Sequence, residues 1–250
     1  MKKTMVLLVV FSVFLMLSVA VVAAPKLGRI TFIHYKNAPV RPSGCNNDGK
    51  CQGWEDASCG DCSGGGESSC YGFISKGAKW KWQEPYLINP TNSDGLSPSL
   101  VQTAIESGVT EWESYAGDIF ASGSLTYNAT FDEDADGDNE IVFGYWPEPN
   151  VIAVTRIWGV WWGKPTERYI AEFDILFNDP NYAWGDAVIN PSVMDLQNIA
   201  THELGHGFGM DDLYETRCID ETMYGYSGEG ETTKRDLNTG DIAGIQALYG

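Results

Sequence analysis

Apolar positions fall in two rhythms along this chain, a period of two in several short runs and a helical period in three longer ones. Residues 29–35 and 79–88 alternate well enough to be strands. Ser97 or Ser99 can cap a helix running to Tyr115, with Leu100, Val101, Ala104, Ile105, Val109 and Trp112 on its apolar face. Further short strands are predicted over residues 125–130, 140–145, 151–158 and 168–177. A second helix is expected over 194–208 and a last one over 239–248. No internal repeat interrupts this order, and it reads as an α+β fold.

Ahead of that pattern the chain is organised differently. Lys2 and Lys3 precede an apolar run, residues 5–22, that ends in small residues, as an export signal does. Cleavage after Ala23 is expected, because Pro25 disfavours a cut after Ala24. The run is at the short limit for spanning a bilayer, so a retained signal anchor stays open as the alternative. No later segment is long and apolar enough to span a membrane, and a secreted or cell-surface protein is expected. Residues 24–44 form a short lead-in, 45–62 a small cysteine-rich module, 63–69 a Gly/Ser linker and 70–250 the main domain.

The cysteines fit an exported chain. Cys45, Cys51, Cys59, Cys62, Cys70 and Cys218 make an even count, which favours three disulfides. Four of them crowd into 45–62, a segment too short for a hydrophobic core of its own; a four-cysteine zinc knot is the other reading. If those four pair among themselves, Cys70 is left to bond Cys218. The formal net charge is −18, and loss of Lys2 and Lys3 with the signal takes it to −20. Such a surface repels nucleic acid and anionic lipid.

The chemistry concentrates in one stretch. Of three histidines in the chain, His202 and His206 stand four residues apart around Glu203. On a helix both imidazoles project from one face about a turn apart. They can share one zinc ion, with Glu203 aimed at the metal's open position. Gly209 suits the turn out of the helix, and Asp212 follows three residues later as the third ligand. Asp211, one residue out of register, is the alternative. His34 is expected to be a strand or surface histidine with no part in the chemistry.

The pattern His202-Glu203-x-x-His206-x-x-Gly209-x-x-Asp212 resembles the zinc signature of the metzincin metallopeptidases. Residues 221–226 around Met223 resemble their Met-turn, and residues 194–201 and 241–250 resemble the active-site and final helices of the matrixin-like branch. The resemblance spans residues 71–250. It implies a metzincin-like catalytic domain: twisted mixed sheet, active-site helix, Met-turn and C-terminal helix. It also implies a zinc-dependent endopeptidase acting on protein or peptide substrates. Residues 151–155 would pair with the substrate backbone, and Tyr224 with the loop to Thr232 would wall the pocket beyond the cleaved bond. Matrixins usually place a histidine where this chain has Asp212; snapalysins are similar to this chain in having aspartate there. Carboxylate oxygen binds zinc at about the distance of imidazole nitrogen. No Pro-Arg-Cys-Gly cysteine switch precedes the domain and the lead-in is short, so a protease made without a latency segment is expected.

Asp132, Asp134, Asp136 and Asp138 alternate around Gly137 as calcium loops do. Phe143 stands where an EF-hand needs its bidentate acid, so an EF-hand is excluded; another calcium loop and a solvated acidic turn both remain open. Trp158, Trp161 and Trp162 are expected to pack in the core or at its rim. A secreted calcium-binding or adhesion protein on an inactive metzincin scaffold is the alternative function, and the intact Glu203 argues against it.

Overall fold

The computed structural model describes residues 26–36 and 70–250. The signal at 1–23, the cysteine-rich module at 45–62 and the linker at 63–69 lie outside the described residues. Nine strands and three α-helices follow one another among those described. The first strand, β1 (Gly28–Lys36), is separated from all the others by residues 37–69.

Helix α1 (Pro98–Ala116) starts where Ser97 accepts a hydrogen bond from the Leu100 amide at 3.2 Å, with Pro98 in the first turn. Proline suits that place because its missing N–H has no intrahelical partner there. The helix buries Val101, Ile105, Val109 and Trp112, while Leu100 lies at the exposed edge of the stripe. Gly108 lets it approach helix α2 (Leu196–Phe208): a Cβ there would lie 3.0 Å from the Leu204 Cδ1 and Thr201 Oγ1 atoms. The Trp112 indole fixes that contact by donating to the Thr201 carbonyl at 2.7 Å.

The main sheet is mixed. Strands β2 (Leu87–Ile88), β3 (Ser124–Leu125), β4 (Glu140–Gly144), β5 (Val151–Val160), β6 (Tyr169–Asn178) and β9 (Tyr226–Ser227) join β1 in the order β3-β2-β4-β6-β5-β1-β9. β5 runs antiparallel to β6, and all ten of its residues are buried. Two expected strands are much shorter than their sequence pattern. Residues 79–88 contribute only β2 and two single bridges, from Lys79 and Glu84; residues 125–130 contribute only the end of β3. Alternation alone does not make a strand, which needs a neighbour's backbone along its length. Beyond β3, Tyr127 and Ala129 turn their carbonyls to the Asn89 side chain instead.

A two-stranded parallel pair, β7 (Trp184–Gly185) with β8 (Met194–Asp195), leads into α2. Asp195 caps that helix, accepting from the Asn198 amide at 2.9 Å, and is itself held by Arg235. Helix α3 (Thr239–Tyr249) closes the fold. The predicted disulfide between Cys70 and Cys218 is present, with Cα atoms 5.4 Å apart. The fold is the α+β arrangement expected of a metzincin-like domain. Among the described residues no helix is long and apolar enough to cross a membrane.

Candidate metal centre and active site

Helix α2 carries His202, Glu203 and His206, all buried. Gly209 ends it in a left-handed conformation, φ 105°, with Leu248 and the Ala78 carbonyl close about its Cα. A side chain there would be strained and crowded, so the turn needs glycine. The chain then doubles back and brings Asp212 over the two histidines. Its Oδ1 lies 3.3 Å from His202 Nε2 and 3.5 Å from His206 Nε2.

Backbone groups aim the imidazoles. His202 Nδ1 faces the Thr222 carbonyl at 2.8 Å, and His206 Nδ1 faces the Met210 carbonyl at 3.0 Å. A proton on each Nδ1 leaves both Nε2 lone pairs directed at Asp212, the arrangement that orients metal-binding histidines. His202 Nε2 and Asp212 Oδ1 are buried with no hydrogen-bond partner. Zinc bonds of about 2.0–2.1 Å in a tetrahedron put ligand atoms about 3.4 Å apart, which matches the two separations. The three donors therefore fit a zinc ion. Asp211 is not among them: its Oδ1 accepts from the Asp212 amide, and its Cβ packs against Gly72.

Met223 lies under the cluster. A Cβ on Gly205 would fall 2.2 Å from its sulfur, so a glycine on the helix makes room for the methionine. The turn is pinned from behind by Asp241, which accepts from the amides of Thr222 and Met223 at 2.6 and 3.2 Å. Glu221 in turn accepts from Gly240 and Asp241 at the start of α3.

Charge is distributed unevenly over the site. Burial, and then the neighbouring His34, pull the His202 pKa down to about 4. Burial pulls His206 down too, but the Asp212 carboxylate outweighs it and the net shift is upward. Burial alone would raise Asp212; its contacts with His206 and His202 hold it well below the usual carboxylate range. Burial raises Glu203.

Two residues of the site were not assigned to it from sequence. His34 is not a surface histidine. It sits on β1 with 1% of its surface exposed, its Nδ1 3.0 Å from Glu203 Oε1 and its ring 4.0 Å from that of His202. Its only signal in the sequence was its type, one of three histidines. Thr155 on β5 donates its hydroxyl to Glu203 Oε2 at 2.5 Å; nothing in the sequence singled it out.

The acidic loop has a geometry of its own. Asp132 and Asp136 come together with Glu140, each offering an oxygen within 4.8 Å of the others, whereas Asp134 and Asp138 are not in that group. The buried Asp174 and Glu172 of β6 adjoin it through the amides of Asp132, Asp136 and Gly137. Glu140 Oε2 and Asp174 Oδ1 are buried with no partner. Burial, with the surrounding carboxylates adding to it, raises Glu140 to about 7 and Asp174 to about 8.

The model of the matrixin family matches residues 79–250 of the chain. That segment holds α1, β5, β9, the three candidate ligands and Met223, and it begins after β1. No curated relative matches the chain.

Proposed function

The chain belongs to the matrixin family, and from that premise we propose that it is a secreted zinc endopeptidase whose metal is held by His202, His206 and Asp212. The observation that carries this reading is the convergence of two aimed Nε2 atoms and one Asp212 oxygen at zinc-ligand spacing, with His202 Nε2 and Asp212 Oδ1 buried and otherwise unpartnered. When bound, zinc supplies Lewis-acid activation of the attacking water and of the substrate carbonyl.

The chain's residues supply the rest. Glu203 is the general base: it takes the proton from the attacking water and passes it to the departing amine nitrogen. Burial, which raises its proton affinity, suits a carboxylate that must hold that proton between the two steps. Thr155 fixes the carboxylate's orientation through Oε2. The buried surroundings exclude bulk water and hold His202 neutral, as metal ligation requires, while the Asp212 carboxylate raises His206. The cleft between β5 and β9 takes the peptide as an added strand. Export by the signal at residues 1–23, with its removal after Ala23, belongs to the same reading.

A calcium ion at Asp132, Asp136 and Glu140 is proposed as well. Calcium takes several carboxylate oxygens at 2.3–2.6 Å, and Glu140 Oε2 and Asp174 Oδ1 are buried without partners, acids whose raised pKa values a cation would bring down. Incubation of the purified protein with a quenched peptide library tests the peptidase reading. Cleavage abolished by a chelator and restored by zinc is expected. Absence of cleavage in every zinc-loaded form, including one with the cleft opened, would remove it.

A further inference from the structure

β1 lies where a substrate strand belongs. It pairs antiparallel with β5, with Phe32 opposite Thr155 and His34 opposite Ala153, and parallel with β9, with Tyr35 opposite Tyr226. β5 and β9 are the two walls between which a peptide must pass to reach Glu203. With β1 between them the groove is full. Its two buried side chains land on the residues of the site. Phe32 stacks on His206 with ring centroids 3.9 Å apart, and His34 sits on His202 and Glu203. With Thr155 on the other oxygen, both Glu203 oxygens are engaged. His34 thus occupies Oε1, the oxygen that Thr155 leaves for an attacking water.

We propose that β1 is an inhibitor built into the chain, a substrate-like strand whose His34 occupies the catalytic carboxylate and which must leave before a peptide can be cut. This rests on the peptidase reading above and reverses the expectation of a protease made without a latency segment.

Three further observations favour an occupant that can depart over a permanent part of the core. Only Phe32 and His34 of its nine residues are buried, and the rest are partly or fully exposed. Its outer anchors are ion pairs near the surface, Arg29 with Glu133 and Lys36 with Glu229, and exposed pairs of this kind hold weakly. Its nine residues lie outside the segment that matches the family. Besides its pairing with β5 and β9, β1 is kept beside the cleft by its covalent connection to the rest of the chain. A cut in residues 63–69 ends that tether. Cys70 and Cys218 bond each other and the other four cysteines lie upstream of the cut, so no disulfide keeps β1 attached.

The test uses the full chain with a site for a sequence-specific protease placed at Gly65, and binding is measured in the presence of a chelator so that the probe is not cut. The probe is a fluorescein-labelled peptide of the β1 sequence, GRITFIHYK. The uncut protein should not take it up. The cut protein, once mass spectrometry shows the upstream fragment gone, should bind one peptide per chain, and a peptide with alanine in place of histidine at least roughly tenfold more weakly. Without the chelator, cutting should raise hydrolysis of an unrelated quenched peptide at least tenfold. Should the strand stay bound after the cut, Ile33→Pro in the uncut chain removes a ladder donor and should produce the same uptake.

Equal uptake by uncut and cut protein overturns the proposal, as does a fragment-free or Ile33→Pro protein that takes up nothing. If the opened cleft binds peptide and cuts none, the inhibitory strand stands and the peptidase reading falls. If the uncut chain hydrolyses as fast as the cut one, the peptidase reading stands and the inhibitory strand falls.

Discussion

The cluster of His202, His206 and Asp212 and the cluster of Asp132, Asp136 and Glu140 both bring three donors together, yet on opposite plans. The first takes two donors from one helix turn and the third from the loop that Gly209 starts. Each imidazole has its second nitrogen tied to a backbone carbonyl. The second gathers acids from a loop and the first residue of β4, and leaves Glu140 Oε2 and Asp174 Oδ1 buried without partners. In the first, the raised pKa of His206 and the depressed one of Asp212 let the two groups compensate each other's charge without a metal; dehydrated carboxylates repel unless they hold protons. The histidine cluster is therefore preorganised, and the acidic one at neutral pH depends on protons or a cation to keep its shape.

The largest expected effect falls on the first cluster. Glu203→Ala, measured in the form freed of β1, should lower turnover by about 10²–10⁴-fold while metal analysis still finds one zinc per chain, since only the proton-transfer group is gone. Wild-type turnover in that variant would remove Glu203 from the mechanism. Next in size, Asp212→Ala should weaken zinc at least roughly 100-fold in chelator competition, because it takes away a ligand where even loss of an outer partner costs 10–100-fold. Asp212→His should recover much of the affinity, and Asp211→Ala should change it little. The reverse outcome for the two aspartates would shift the site by one residue.

Rigidity of the helical plan can be probed at Gly205. Its alanine variant forces a methyl against the Met223 sulfur and should cost about 1–3 kcal/mol, read as a lower midpoint in thermal unfolding. An unchanged midpoint would mean the methionine turn is not packed against α2 in solution. The smallest effect expected belongs to the acidic plan. Glu140 and Asp174 have raised pKa values in the folded state. Their contribution is thus fully present below pH 4 and lost as pH rises through about 7 to 8. Without calcium the midpoint should fall from pH 5 to pH 8; with calcium that fall should vanish, and Glu140→Gln should blunt both responses. A midpoint equally indifferent to calcium at pH 5 and pH 8 would make the two plans alike after all.

The same contrast explains what could be read from the chain alone. His202, Glu203, His206, Gly209 and Asp212 lie within eleven consecutive residues of one helix and its exit, so periodicity placed them in three dimensions. Residues 29–35 were legible as a strand, but which edge they would join was not, because the residues that specify the pairing lie more than a hundred positions away on β5. His34 and Thr155 stayed invisible as partners of Glu203 for that reason. In the acidic loop the alternating aspartates suggested one set of neighbours, and tertiary packing chose another by bringing in Glu140 and the β6 acids. The overlong strands at 79–88 and 125–130 failed in the same way, since alternation says which face is apolar and not where a partner ends.

The Cys70–Cys218 bond closes a covalent ring that contains α1, α2, the seven strands β2 to β8, and His202 and His206. The ring decides what a proteolytic cut would do. One cut between residues 71 and 217 opens this ring into a line and sheds nothing, whereas one cut just upstream of Cys70 sheds everything before it. A single sulfur–sulfur bond thus sorts random damage from a releasing event, and the same blow that would ruin an unbridged chain can, a few residues earlier, set this one free.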